Sequence, residues 1–415
     1  MDRLMIISDD LTGALDTGIQ LVKKHVKIAV FADESTFSAA GCGAETVVIN
    51  SDTRNASPEK AYSAIRRIVH EGRIAGIEYF YKKTDSALRG NVGSELQAVM
   101  DETGSDCLQF VPALPHMNRY TLNGIHYIDG VPAGESIFAQ DRYSPVRHSA
   151  VADIIHEQSD LPVIGHSEPV SCGERGIHVY DARSEEDLAA IAAHLKKCGQ
   201  YRLLAGCAGL AQYVPELLDL AGNASIELPL RKGLLVVCGS TNQVTKNQLE
   251  DAEANGFIRC TLQPRMTLDR DWIDTEECRE FLDGCMEEFG RTGRLIIDTN
   301  DRETNETKRY AEEHGLKTEA IRTGIVSALG MILKRLLDRG MHCTLLLTGG
   351  DTLLGFMKQI GVSRLTPVQE AAPGVVISLL DYNGCSYPVI TKSGGFGNRE
   401  LLSELAEQTK KGEES

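Results

Sequence analysis

The stretch TKSGGFG, from Thr391 to Gly397, is a glycine-dense turn that follows a strand-like apolar run, Tyr387 to Ile390. A second such turn, TGGDT from Thr348 to Thr352, also follows an apolar run and leads into a helical pattern. Glycine lets the backbone approach an anion closely, and a helix N-terminus directs free N–H groups at it. Two such turns in one half of the chain predict a polyphosphate site. Each turn alone is equally compatible with a purely structural strand-to-helix connection.

Outward from these turns, short apolar runs alternate with helical patterns. Strand-like runs include Leu4 to Ile7, Thr46 to Ile49 and Tyr79 to Lys83, and helical spacing is found in Thr12 to Lys24 and Ala61 to His70. This alternation predicts parallel sheets covered by helices on both faces. Residues 112–145 interrupt the rhythm, because they are rich in Pro, Gly, Asn and Asp. They predict a long functional loop rather than an ordinary connection.

The chain of 415 residues is too long for one typical hydrophobic core, so two domains are expected. Polar, glycine and proline residues cluster between Gly222 and Gly233, just before an especially apolar strand, Leu234 to Cys238. We therefore expect one domain over residues 1–225 and another over residues 233–415. The predicted fold class is α/β, with each domain built on a largely parallel sheet flanked by helices.

The composition argues against several classes of function. A net charge of −16 disfavours a nucleic-acid-binding surface and an anionic membrane as partner. The 11 cysteines include no C-x-x-C pair and the 11 histidines no H-E-x-x-H motif, so neither a disulfide framework nor a metal site is predicted. Because no apolar stretch approaches the length of a membrane span, we expect a cytoplasmic protein.

Polar residues follow the N-terminal strands, at the strand ends where open α/β sheets bind ligands. Asp9 and Asp10 follow the first strand, and they suit sugar hydroxyls, proton acceptance or a metal, or an N-cap with a solvated neighbour. A cationic stretch lies at the end of the strand-like run Tyr79 to Lys83 and contains Lys82, Lys83 and Arg89 within eight positions. Arg54 follows the run Thr46 to Ile49. These cations predict a pocket for an acidic substrate, and the alternative is an ordinary lysine-rich surface.

Five separated motifs, taken together, resemble the four-carbon acid sugar kinases. The motifs are Asp9-Asp10-Leu11-Thr12-Gly13-Ala14, Lys83-Thr84-Asp85-Ser86-x-Leu88-Arg89-Gly90, Gly239-Ser240, Gly349-Gly350-Asp351-Thr352 and Lys392-Ser393-Gly394-Gly395-Phe396-Gly397. The long loop, with Pro112, Arg119 and Gly124, is similar as well, and Met117-Asn118 departs from the family pattern where glycine is more common. The resemblance covers nearly the whole chain.

The resemblance implies a substrate domain followed by a nucleotide-binding domain, with the active site in the interdomain cleft. It implies ATP-dependent phosphorylation of the terminal hydroxyl of D-threonate, D-erythronate or a 3-oxo-tetronate, with Mg²⁺ accompanying ATP. The Ser-Gly-Gly-Phe-Gly form of the last loop is closer to the threonate-type members.

The resemblance also implies site residues. Those expected to contact the acid are Asp10, Arg54, Lys83, Thr84, Asp85 and Ser86, to which the strand-end pattern adds Asp9, Lys82 and Arg89. Those expected to contact ATP are Ser240, Gly349, Gly350, Asp351, Thr352, Gly394 and Gly395. For the catalytic base, Asp351 is the first choice and Asp10 the alternative, with Asp85 also open.

Two other classes of function remain open at this stage. One is a non-catalytic nucleotide sensor, and the other is an ATP-dependent ligase that activates a carboxylate. The chain contains neither the G-x-x-x-x-G-K-[ST] motif of P-loop ATPases nor the G-x-G-x-x-G motif of NAD-dependent dehydrogenases. The expected partners are therefore a small acid and ATP, and a homo-oligomer is compatible with the sequence.

Overall fold

The structure is a computed structural model that describes residues 4–34, 37, 44, 46–141, 143–171, 173–220, 222, 230–300 and 306–410. The chain forms two compact units, Met1–Ser225 and Ile226–Ser415. Most of the predicted boundary segment, residues 223–229, lies outside the described residues. In the described ranges, no helix combines the length and apolar character needed to cross a bilayer.

The N-terminal unit alternates strands and helices for most of its length. Its strands are β1 (Leu4–Ser8), β2 (Ile28–Phe31), β3 (Thr46–Asn50), β4 (Tyr79–Lys83), β5 (Cys107–Val111), β6 (Arg119–Leu122), β7 (Ile125–Ile128), β8 (Val131–Pro132), β9 (Val163–His166), β10 (Gly176–Tyr180) and β11 (Leu203–Gly206). Its helices are α1 (Leu11–Val22), α2 (Pro58–Ile74), α3 (Val92–Thr103), α4 (Val151–His156), α5 (Glu185–Cys198), α6 (Ala208–Ala211) and α7 (Val214–Leu217).

The main sheet of this unit has the strand order β2-β3-β1-β4-β11-β5-β10-β9, and its neighbouring strands are parallel. Every residue of β1 is buried, which is typical of a parallel strand covered on both faces. Helix starts follow local capping chemistry. The Ser57 side chain accepts a hydrogen bond from the Lys60 backbone N–H, and Pro58 occupies the first helical position of α2.

The C-terminal unit begins a second series of elements. Its strands are β12 (Leu234–Cys238), β13 (Ile258–Thr261), β14 (Arg294–Asp298), β15 (Thr344–Thr348), β16 (Arg364–Ala372), β17 (Val375–Tyr382) and β18 (Cys385–Lys392). Its helices are α8 (Gln243–Ala254), α9 (Pro264–Leu268), α10 (Glu276–Thr292), α11 (Glu306–Glu313), α12 (Thr318–Asp338), α13 (Gly350–Ile360) and α14 (Leu401–Thr409). The strand order within this unit is β13-β14-β12-β15-β18-β17-β16.

Two features differ from the alternation expected from the sequence. Residues 112–145 are not simply a loop, because β6, β7 and β8 form a small antiparallel sheet there. In the C-terminal unit, β13, β14, β12, β15 and β18 are parallel, but β17 and β16 continue the sheet as antiparallel strands. The tight turn Asn383-Gly384, in which both residues have positive φ, joins β17 directly to β18 without a crossover helix.

Two helical glycines provide a matched test of the packing. A Cβ placed on Gly93 of α3 would lie 2.1 Å from the backbone oxygen of Ile155 in α4, whereas one on Gly284 of α10 would meet nothing within 4 Å. We expect Gly93→Ala to destabilise the protein by about 1–3 kcal/mol, because α3 and α4 must separate. Gly284→Ala should instead stabilise it by about 0.5–1 kcal/mol through helix propensity. Urea unfolding of both variants gives the sign, and a neutral Gly93→Ala would contradict the close approach of the two helices.

Candidate functional site

The carboxyl ends of three adjacent strands bring the N-terminal motifs together. Ser8, the last residue of β1, pairs with Asn50 at the end of β3 and with Lys83 at the end of β4. The segments that follow these strands contain the predicted residues Asp9 and Asp10, Arg54, and Thr84 to Arg89. Because parallel strands end at the same edge, the sheet register alone places these segments side by side.

Arg54 is the centre of an ion network at this edge. Its Nε donates to Asp9 Oδ2 at 2.6 Å, and its Nη1 donates to Asp10 Oδ2 at 2.9 Å. Asp10 also caps α1, since its Oδ1 accepts from the Gly13 backbone N–H at 2.9 Å. Burial would raise the pKa of Asp9, but Arg54, Lys82 and Lys83 outweigh burial and lower the pKa. Asp9 Oδ1 is buried and has no hydrogen-bond partner among the described residues, so it is available to a ligand hydroxyl.

Asp85 and Arg89 form the second ion pair of the edge. Arg89 Nε and Nη2 donate to the two oxygens of Asp85, each at 2.9 Å, and Arg54 Nη2 lies 3.5 Å from Asp85 Oδ1. Burial opposes ionisation of Asp85, yet Arg89 and then Arg54 hold its pKa well below the ordinary value. Leu88, which lies between Asp85 and Arg89 in the sequence, has a φ of 62°, in the left-handed region. This conformation is costly for a bulky side chain, and such strain clusters at functional sites.

Lys82 has a different environment from the other predicted cations. Its Nζ lies 2.8 Å from Glu95 Oε2, and both side chains are buried, at 0% and 2% exposure. Thr53 donates a hydrogen bond to the other oxygen of Glu95. Burial raises the pKa of Glu95 against the opposing effect of Lys82. The geometry thus favours a structural role for Lys82, and Glu95 is a partner that the sequence pattern did not reveal.

Lys83 and Arg119 are the cations of this edge that form no ion pair with a carboxylate in the described part of the chain. Lys83 Nζ donates to the Thr84 backbone oxygen at 2.8 Å and lies beside Gly13, at 3.1 Å from an ideal Cβ there. Successive strand residues face opposite sides of a sheet, which explains why Lys83 points to α1 while Lys82 points to Glu95 of α3. Lys83 is therefore the predicted cation best suited to an acidic ligand.

Arg119 joins the site from the small antiparallel sheet, and the sequence pattern gave it no role of its own. Its Nη1 donates to the Ser86 hydroxyl at 2.6 Å, and its Nε is buried without a hydrogen-bond partner. The Phe138 ring lies 5.4 Å from the Arg119 guanidinium carbon and 4.9 Å from that of Arg89. Such contacts hold the two guanidinium groups in place on one aromatic ring. The sequence signal for Arg119 was a cation in a long loop.

His126 supports Ser86 rather than acting in proton transfer. Its Nε2 donates to the Ser86 backbone oxygen at 2.9 Å, and its Nδ1 lies 3.1 Å from the Thr121 hydroxyl. Burial lowers the pKa of His126 to about 4, so the ring is neutral near pH 7. His116, the other histidine of residues 112–145, is exposed at the surface.

In the C-terminal unit, the strand register brings the glycine turns together in the same way. Cys238 at the end of β12 pairs with Thr348 of β15, and Thr348 pairs with Lys392 of β18. The three turns that follow these residues contain the predicted nucleotide contacts Ser240, Gly349 to Thr352, and Gly394 with Gly395. The sheet therefore aligns all three turns along one edge, next to the N-terminus of α13.

The turns are packed against each other through glycine. A Cβ on Gly394 would lie 2.5 Å from the Ser240 Oγ, and one on Gly239 would lie 2.9 Å from the Thr352 Oγ1. These glycines therefore have a structural reason for their identity. Gly395 differs, since a Cβ there would have Asn242 Nδ2 at 3.7 Å as its nearest neighbour. The backbone at Gly395 is thus accessible to an approaching ligand.

Asp351 lies in the first turn of α13 and is exposed. One of its oxygens, Oδ2, accepts from Arg322 Nη1 at 2.9 Å, and Arg322 also holds Glu319 at 3.1 Å. An oxygen donor at a helix N-terminus beside the glycine turns suits either proton acceptance or a water-mediated contact to Mg²⁺. Across the described residues, no group of three or more His, Cys, Asp or Glu side chains is arranged to hold a metal ion.

Comparison with known proteins assigns a family to each half of the chain. Residues 4–214 match the family described as a sugar-binding N-terminal domain, and residues 235–402 match the family described as a nucleotide-binding C-terminal domain. A D-threonate kinase of Salmonella typhimurium is 28% identical over 435 residues, covering 97% of both chains. A D-erythronate kinase of Heliobacterium modesticaldum is 28% identical over 448 residues, covering 99% of both chains. The chain belongs to the four-carbon acid sugar kinase family.

Other members of the family act on a further acid. A 3-oxo-tetronate kinase of Pseudomonas fluorescens is 26% identical over 429 residues, covering 97% of this chain and 96% of its own. Among solved structures, a Salmonella typhimurium protein provisionally named a tRNA synthase superposes with a TM-score of 0.80 at 19% identity, over 98% of this chain and 100% of its own. The Haemophilus influenzae protein HI1011 superposes with a TM-score of 0.73, also at 19% identity, over 98% of this chain and 100% of its own. These structural likenesses concern the fold alone.

The family, the α/β fold and the kinase class predicted from the sequence are thereby confirmed. The nucleotide-binding family match supports ATP as co-substrate of this kinase. The predicted domain bounds and the roles of individual residues stay predictions.

The Lys82–Glu95 pair can be tested by unfolding. Glu95→Ala should cost on the order of 3–5 kcal/mol of unfolding free energy, because it leaves the Lys82 ammonium buried without a partner. Replacing both residues, as Lys82→Met with Glu95→Leu, should recover most of this loss, since the uncompensated charge is removed. Urea unfolding of the two variants measures the difference. A double variant as unstable as Glu95→Ala would contradict a role confined to charge compensation.

Proposed function

We propose that this kinase transfers the γ-phosphate of ATP to the terminal 4-hydroxyl of a four-carbon sugar acid, most favourably D-threonate, to give 4-phospho-D-threonate. D-erythronate and 3-oxo-tetronate are the alternative acceptors. The proposal rests on one observation above the others. The N-terminal strand edge combines carboxylates suited to hydroxyl groups with Lys83 and Arg119, cations that form no ion pair with a carboxylate among the described residues.

The N-terminal site is suited to a short hydroxy acid. A carboxylate that enters a buried site needs a cation, and Lys83 can supply one while Arg119, which is bonded to the Ser86 hydroxyl, offers a second. Asp9 and Asp10 both pair with Arg54, and their carboxylate oxygens are suited to accept hydrogen bonds from hydroxyl groups. Arg54 and Arg89, which we also expect at the substrate, then act mainly by orienting carboxylates, Arg54 those of Asp9 and Asp10 and Arg89 that of Asp85. We assign residues 1–225 to this acid-binding function.

The C-terminal site is suited to ATP. We assign residues 233–415 to nucleotide binding, with the turns at Ser240, Gly349 to Thr352, and Gly394 with Gly395 around the phosphates. Phosphoryl transfer requires positioning and charge neutralisation more than covalent chemistry, which agrees with turns rich in backbone N–H groups. Mg²⁺ would arrive with ATP and neutralise phosphate charge, and the Asp351 carboxylate is the oxygen donor that fits a water-mediated contact to it.

The preference for D-threonate is supported by the Ser-Gly-Gly-Phe-Gly form of the last turn, which resembles threonate-type members, and by the similarity to the Salmonella typhimurium enzyme. An ADP-release assay with D-threonate, D-erythronate, L-threonate and the 3-oxo acids tests it directly. The proposal expects D-threonate to have the highest kcat/KM. Release of AMP, or an acyl-linked product, would indicate a ligase. ATP binding without turnover on any acid would indicate a sensor.

We also propose that the kinase works in the cytoplasm, where ATP is available. The scattered cysteines, which include no C-x-x-C pair, are compatible with a reducing compartment. A homo-oligomer is a further expectation, and light scattering at assay concentration decides it.

Lys83 provides the sharpest test of the acid site. Removing a cation from a desolvated carboxylate costs on the order of 2–5 kcal/mol. Lys83→Ala should therefore raise KM for the acid strongly and leave KM for ATP nearly unchanged. Lys60→Ala, which removes an exposed lysine on α2, is the matched control. Equal effects of Lys83→Ala on both KM values would point to a structural role.

The catalytic base is tested by neutral variants of the two aspartates. Asp351→Asn keeps the shape of the side chain and removes its charge, so loss of a base should lower kcat by about 10²–10⁴-fold with little change in ATP affinity. The same substitution at Asp10 should affect binding of the acid more than ATP. Near-normal kcat in Asp351→Asn, together with a collapse of kcat in Asp10→Asn, would move proton transfer to Asp10.

A further inference from the structure

Lys392 is a buried lysine at the edge that carries the glycine turns, and nothing above gives it a role. It is the last residue of β18, and only 1% of its surface is exposed. Its backbone oxygen accepts a hydrogen bond from the Gly349 N–H at 2.9 Å. Lys392 therefore lies between two of the turns that we assign to ATP.

The surroundings of Lys392 are uncharged within the described residues. Its cross-strand neighbours are Thr348 on β15 and Val375 on β17. Cys238 on β12 is the titratable group that acts on it, and burial raises the pKa of that thiol, which keeps it neutral. On α8, the Thr245 hydroxyl accepts a hydrogen bond from Lys392 Nζ at 3.1 Å. A buried ammonium with only neutral neighbours is costly, and burial lowers the pKa of Lys392 to about 8.

A short hydrogen-bond chain connects this ammonium to the last glycine turn. The Thr245 hydroxyl that accepts from Lys392 donates in turn to the Gly394 backbone oxygen at 2.7 Å. One hydroxyl group, that of Thr245, thus separates the ammonium from the backbone of the Gly394-Gly395 turn, in which the Gly395 backbone is accessible to a ligand. Although the protein has a net charge of −16, no described carboxylate pairs with this ammonium.

We propose that Lys392 is the countercharge for the polyphosphate of the nucleotide, and that ATP binding completes an ion pair that the free protein lacks. The inference rests on the proposed ATP site and adds the group that neutralises its ligand. Peptide N–H groups of the glycine turns supply hydrogen bonds, whereas Lys392 supplies a full charge.

The proposal has a pH signature with a defined sign. Phosphate near Lys392 favours the ammonium, so ATP binding raises its pKa above the value of about 8 in the free protein. The contribution to ATP affinity is fully present below pH 8 and is lost as the pH rises through the pKa of the bound state. At pH 8 the lysine of the free protein is about half protonated, so the protein should take up roughly half a proton when ATP binds. The terminal phosphate titrates well below this range.

Isothermal titration calorimetry of Mg-ATP into the full-length protein tests this without any variant. Titrations at pH 8, in two buffers of different ionisation enthalpy, give the number of protons taken up. We expect uptake with ATP, none with adenosine, and an ATP affinity that falls by up to about tenfold per pH unit above pH 8. ATP binding with no proton uptake and no fall in affinity would overturn the role of Lys392 and leave the nucleotide site intact. A protein that does not bind ATP would overturn the nucleotide site itself and this role with it.

Variants separate this role from a structural one. Lys392→Met should abolish the proton uptake and weaken ATP binding on the order of 30- to 1,000-fold, while adenosine binds as before. Lys392→Arg retains a charge that does not titrate, so its ATP affinity should be independent of pH between 7.5 and 9.5. Lys358→Met, at an exposed lysine on α13, is the matched control and should behave as wild type. ATP affinity of Lys392→Met within about twofold of wild type would contradict the proposal.

Discussion

The register of parallel strands is the constraint on which both sites depend. Ser8, Asn50 and Lys83 end neighbouring strands in the N-terminal unit, and Cys238, Thr348 and Lys392 do so in the C-terminal unit. Motifs far apart in sequence then meet at one edge because the backbone hydrogen bonds leave no other arrangement. Each unit uses the same geometric solution with different chemistry, charged side chains in the first and glycine turns in the second.

Charge compensation is the second principle of the molecule. At the N-terminal edge, most buried charges have partners, which allows an acidic protein to concentrate cations without a large cost in stability. The exceptions are informative, since Lys83 and Arg119 form no ion pair with a described carboxylate and Lys392 has neutral neighbours among the described residues. A buried cation without a partner carboxylate is suited to an anionic ligand.

Much of this could be predicted from the sequence, and the gaps have physical causes. Apolar runs and turn residues identified the α/β units, and the strand-end motifs identified both edges. Two adjacent lysines look alike in sequence, yet the pleat of β4 points them to opposite sides of the sheet. Lys82 therefore pairs with Glu95, whereas Lys83 forms no ion pair with a described carboxylate and is the lysine that we expect to bind the acid. Glu95 and Arg119 were missed because their contacts are set by tertiary packing, and β16 and β17 because antiparallel strands break the alternation on which the prediction rested.

The small antiparallel sheet of β6 to β8 gives the N-terminal unit a modular character. Arg119 comes from this insertion and reaches Ser86, while the Arg54 and Lys82 networks belong to the main sheet. We therefore expect recognition of the acid to be divided between residues of the main sheet and Arg119 of the small sheet. Variation confined to the small sheet would then change which acid is accepted while the Arg54 and Lys82 ion pairs of the main sheet stay intact, a separation by which one fold can diversify its substrates.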